Sequence, residues 1–196
     1  MPMPVEPAVR TSLAPFDKRV RRAVDNGFKA YLARRGAGNL YKRTDAAEIF
    51  DCVVQAAMVE FDGKPGVKVF KGKATARFLF ANTVLARFKK ADRAGAGQNI
   101  KTGANDRFLN PTLAFPDAPE AMKVEICWKL NALRTGYDSL HVTSRNGASV
   151  LWSYEMPGGV QETIHFPTKP APTPAVGGRR AKLKSEDAKK KSRGAS

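Results

Sequence analysis

From Phe16 to Leu32 apolar residues recur four apart, with Phe16, Val20, Val24, Phe28 and Leu32 joined by Ala23 and Tyr31. This spacing predicts an amphipathic helix beginning near Pro15, a residue suited to a first helical turn. Lys18, Arg19, Arg22 and Arg35 form its basic face, and Gly36 is placed to end it. A second helix is predicted from Thr44 or Asp45. Asp45 and Glu48 are spaced as a capping box, and Ile49, Phe50, Val53, Val54, Ala57, Met58 and Phe61 follow at helical intervals. Asp62-Gly63-Lys64-Pro65-Gly66 then marks a turn, and Val67–Phe70 a short strand. A third helix is predicted over 74–90, with Phe78, Leu79, Leu85 and Phe88 as its stripe and Lys89-Lys90 at its end.

Residues 92–119 are rich in Gly, Asn and Pro, which marks a long loop, functional or partly mobile. Beyond it, Val124, Ile126, Trp128 and Leu130 alternate as in a half-buried strand. Met122, Ile126, Leu130 and Leu133 also fit a helix from Glu120, so both readings stay open. Leu140–Ser144 and Ser149–Tyr154 flank Asn146-Gly147, a strong hairpin signal. The predicted fold is α+β, with three N-terminal helices and a small antiparallel sheet ending in a hairpin. Residues 1–14 contain Pro2, Pro4 and Pro7 without periodicity and are expected to be a flexible arm; 15–156 form the globular domain. Residues 157–196 combine a Pro-rich linker, with Pro167, Pro170, Pro172 and Pro174, and a basic tail expected to be disordered.

Charge sharpens this picture. Thirty-four Lys and Arg against 18 Asp and Glu give a formal charge of +16, which favours polyanionic partners by raising association rates. Cys52 and Cys127 both sit in apolar segments, as buried free thiols would in a reducing compartment. The N-terminus lacks the basic-then-apolar pattern of a secretory signal, and no run is long enough to span a bilayer, so a cytoplasmic protein without membrane contact is expected.

Catalytic patterns are incomplete. His141 and His165 are the two histidines, and His141 lies in a strand pattern where solvent or a local hydrogen bond accounts for it. GAGQNIKTGAND lacks the Gly-Lys-Ser/Thr ending of a phosphate-binding loop. A nuclease needs carboxylates converging on a divalent metal, with Asp106, Asp117, Glu120, Glu125 and Asp138 as candidates. In Lys123-Val124-Glu125-Ile126-Cys127, however, a cysteine stands where an acid-then-Glu-x-Lys site needs lysine. No metal, no cofactor and no enzymatic activity are expected.

Two short stretches point to protein binding instead. Gln161-x-x-Ile164-x-Phe166 lies between Gly158-Gly159 and Pro167. A Gln amide can donate and accept at a groove edge, while Ile164 and Phe166 can each contribute roughly 1.5–3 kcal/mol if buried. It resembles the peptide by which bacterial proteins bind the replication sliding clamp. Gln55, Met58 and Phe61 form a looser version that coincides with the second helix stripe, where core packing competes. A small basic chain with such stretches resembles the SocB-type toxins of the SocA–SocB toxin–antitoxin pair. That resemblance implies a replication inhibitor bound to the DNA polymerase sliding clamp (its beta subunit), and an antitoxin acting as proteolytic adaptor to the ClpXP protease. The alternatives are a nonspecific nucleic-acid-binding protein, touching nucleic acid weakly through its basic tail, and a nuclease toxin.

Overall fold

The computed structural model describes residues 3–35, 41–72, 75–93, 95–98 and 102–158. The chain divides into two units, 1–161 and 162–196, and all described residues belong to the first. The α+β class is as expected, but its parts are distributed differently.

Helix α1 spans Glu6–Leu13 and a short 3-10 turn covers Ala14–Phe16. Helix α2 follows over Asp17–Arg34 and α3 over Lys42–Phe61. Strands β1 (Val67–Lys71), β2 (Ala76–Phe80) and β3 (Val84–Lys90) come next, then α4 (Gly103–Leu109). Strands β4 (Met122–Leu130), β5 (Tyr137–Asn146) and β6 (Ser149–Glu155) complete one six-stranded sheet in sequential order. All neighbours are antiparallel except β3 and β4, which run parallel and are joined by the segment containing α4.

Two expectations are corrected here. The arm predicted over 1–14 contains α1, whose Val9 and Leu13 are completely buried. Pro7 stands in its first turn, where a missing N–H costs nothing, so the prolines mark a helix start and not an unstructured arm. The third helix predicted over 74–90 is instead the β2–β3 hairpin, closed by Ala81 and Asn82 at φ 47° and 55°. Phe78, Phe80, Val84, Ala86 and Phe88 belong to the core under α2 and α3, whereas Leu79 and Leu85 pack with Phe108, Leu109 and Ala121 in a second cluster. A strand buried on both faces loses its polar alternation and takes on accidental helical spacing. Of the two readings left open from Glu120, the strand is the one formed, and the β5–β6 hairpin turns at Gly147 as its Asn-Gly signal indicates.

Helices α2 and α3 pack on each other at short range because Gly27 lies against the Val53 backbone. The basic face of α2 is partly neutralised, Arg19 donating to Glu60 at 2.9 Å. Asp45 does not cap α3, which starts at Lys42. Its carboxylate, 2% exposed, accepts from the Tyr31 hydroxyl and from Arg134 at 2.8 Å, tying α3 to α2 and to the β4–β5 turn. The predicted Gly36 cap lies outside the described residues.

Candidate functional site

Most apolar side chains of the sheet face α2 and α3; the opposite face carries Leu79 and Leu85 toward the α4 segment and, along β3, β4 and β5, a set of polar residues. Its rows follow from register: Arg87, Glu125, Thr143 and Ser153 lie side by side, and Cys127, His141 and Glu155 form the next row. Arg87 donates to Glu125 Oε1 from Nε at 3.1 Å and from Nη2 at 2.7 Å, while Arg145 lies 3.6 Å from Oε2. Glu125 is 1% exposed, so one carboxylate is held between two guanidiniums in a poorly hydrated place. The Phe108 ring of α4 covers Arg87 at 4.2 Å. Burial pushes Arg87 below the usual guanidinium range, and Glu125 opposes that shift.

Described residues of the 92–119 connection pack against this face. Thr143 donates to the Gly95 carbonyl at 3.2 Å and Arg145 to that of Gly97 at 2.8 Å. Gly97 sits so close that a methyl group there would fall 2.6 Å from Glu125 Oε2. Lys123, also buried, donates to the carbonyls of Arg107, Asn110 and Leu113 and so fastens the end of α4. Desolvation lowers its pKa to about 8, with Arg87 adding to the effect. Burial with nearby Glu125 pushes the Cys127 thiol well up, which makes it a poor nucleophile. His141 exchanges a local hydrogen bond with Ser139 at 2.8 Å.

Among the described residues no group of three or more His, Cys, Asp or Glu is placed to hold a metal ion. The nuclease candidates are dispersed: Glu125 lies inside its arginine pair, while Asp106, Asp117, Glu120 and Asp138 are exposed on other segments. This polar layer was not legible beforehand, since its members come from β3, β4 and β5. The Lys-x-Glu-x-Cys run identified the strand but not its arginine partners.

Of the clamp-like residues, Gln161, Ile164 and Phe166 lie outside the described residues. Gln55 and Met58 line a cleft of about 400 Å³ between α3 and the β1–β2 turn, together with Phe50, Val54, Lys71 and Thr75. Gln55 is exposed and Met58 half-buried. Phe61 is 0% exposed and meets the rings of Phe78 and Phe80 edge-on, at 5.9 and 5.2 Å. It reaches a partner only if the end of α3 opens. Among the described residues no helix is long and apolar enough to cross a membrane. Comparison with protein-family models, with curated proteins and with solved structures finds no match for this chain.

Proposed function

We propose that the protein acts by occupancy and not by catalysis: a replication inhibitor of the toxin class that binds the DNA polymerase sliding clamp and excludes its other partners. The contact residues are Gln161, Ile164 and Phe166. The observation supporting this choice is the complete burial of Phe61 among Phe78 and Phe80, which commits the aromatic of the competing stretch to the core. The 161–166 stretch is separated from β6 by only a few residues, two of them glycines. In this reading a cognate antitoxin delivers the protein to ClpXP, and the charge of +16 accelerates encounter more than it holds the complex.

The test is a titration of the full-length protein against immobilised sliding clamp at low and moderate salt. Saturable binding, weakened roughly tenfold or more by Phe166→Ala and only modestly by salt, supports the reading. A basic nucleic-acid-binding protein is the second reading, favoured by the charge alone. It is preferred if clamp binding is absent while duplex DNA binds with a steep inverse salt dependence.

A further inference from the structure

The smaller apolar cluster, on the α4 side of the sheet, stays open at its rim. Leu79, Leu85 and Phe108 are buried there, whereas Phe70 of β1 and Phe115, which pack against them, remain partly exposed. The two rings meet edge to face with centroids 5.5 Å apart. Register sets Phe70 opposite Arg77 and Lys68 opposite Leu79, so all four side chains share this face of β1 and β2. The Arg77 guanidinium lies over the Phe115 ring at 5.0 Å.

Arg77 is short of a countercharge. It faces the same side of the sheet as Arg87 on β3, and the two guanidiniums repel. Arg87 has Glu125, but the Arg77 Nε is buried without a hydrogen-bond partner among the described residues. Burial pushes Arg77 below the usual guanidinium range; Asp117 opposes that shift from nearby but forms no ion pair with it. Lys68 is exposed and also lacks an ion-pair partner among the described residues. Residues 36–40, 73–74, 94 and 99–101 include Lys73 and Lys101 but no Asp or Glu, so the sequence holds no further internal carboxylate to supply the missing charge.

A cation without its anion, set among partly open aromatic rings, matches a nucleotide unit: the guanidinium takes the phosphate and a ring takes the base. Only an unpaired strand can offer its bases in this way, because duplex bases are stacked on one another. We propose that the face formed by Lys68, Phe70, Arg77 and Phe115 binds single-stranded nucleic acid, with a base stacked on the rings and phosphates on Arg77 and Lys68. The chain's charge of +16 accelerates the encounter. This site gives the second functional reading, nucleic-acid binding, a place on the folded domain, and it does not depend on clamp binding.

The experiment titrates the full-length protein into a labelled oligothymidylate dodecamer, an abasic dodecamer with the same phosphates, and a duplex of equal length, followed by fluorescence anisotropy. The basic run after Gly178 attracts all three, so the base is the discriminating variable. Oligothymidylate should bind about tenfold or more tightly than the abasic strand, and more tightly than the duplex. Phe70→Leu/Phe115→Leu, which keeps charge and apolar character, should remove that advantage and leave abasic binding unchanged. Arg77→Gln should reduce the inverse salt slope by about 0.7 with little change in melt, since its guanidinium has no hydrogen bond to lose. Equal binding of the thymidylate and abasic strands overturns this site while leaving charge-driven nucleic-acid binding standing; failure to bind any strand overturns both. A base preference that survives in the ring variant, a preference for duplex, or a salt slope unaltered by Arg77→Gln also overturns the proposal.

Discussion

Adding one methyl group at Gly27 tests the packing of the two long helices. On propensity alone Gly27→Ala should stabilise α2 by about 1 kcal/mol, since glycine is a poor interior helix residue. The structure argues the opposite. A Cβ at this position would fall 2.5 Å from the Val53 Cα, 2.7 Å from its Cγ2 and 2.8 Å from its amide nitrogen, where ordinary contact begins near 3.4 Å. The helices would have to separate by close to an ångström. Overpacking typically costs 1–3 kcal/mol, and a clash with backbone, which has no rotamer to change, belongs at the upper end. The net expectation is destabilisation by about 2 kcal/mol, read as a fall in Tm of roughly 4–8 °C for a domain of this size. Thermal melts and urea midpoints at constant m measure it. Val53→Ala removes the Cγ2 contact but leaves Cα and N in place, so the double variant should be no more stable than Gly27→Ala alone. A Gly27→Ala protein that melts at or above the parent temperature refutes the close approach of α2 and α3.

Phe61→Ala should cost about 3–5 kcal/mol of stability, since a fully buried ring leaves a cavity between Phe78 and Phe80, whereas Phe166→Ala should lower clamp affinity and leave the melt unchanged. If Phe61→Ala instead abolishes clamp binding with an unaltered melt, the end of α3 is the anchor. Glu125→Gln should destabilise by about 3–5 kcal/mol, because Arg87 and Arg145 lose their shared countercharge in a desolvated layer; denaturant midpoints will show it. Lys123 has a pKa near 8 in the fold against about 10.4 in the unfolded chain, so between these values the unfolded state binds more protons and stability rises with pH. Lys123→Met removes that increment, and its stability relative to the parent protein should therefore fall as pH is raised from 8 to 10.5. A pH-independent difference between the two would show that Lys123 does not titrate in this window.

The elements that local pattern determined are those whose two sides differ in polarity. Helices α2 and α3 each bury one stripe, and the β5–β6 hairpin turns on Asn146-Gly147, so period and turn chemistry were sufficient. Helix α1 was hidden because Val9 and Leu13 are too few to show a period among prolines. The β2–β3 hairpin was misread because both of its faces are covered, one by α3 and the other by the α4 segment. The candidate peptides were legible as short local patterns, but the fate of Phe61 was not: its helical spacing allowed either a protruding anchor or a core ring. Only tertiary packing places Phe78 and Phe80 against it. The same holds for the Arg87–Glu125–Arg145 layer, whose charges are remote in the chain and meet only because β3, β4 and β5 are neighbours in register. Local sequence specifies periodicity and turns, which depend on adjacent residues. Which apolar faces become covered, and which charges are forced together without water, depends on contacts between distant segments and is decided only when the sheet closes against its helices.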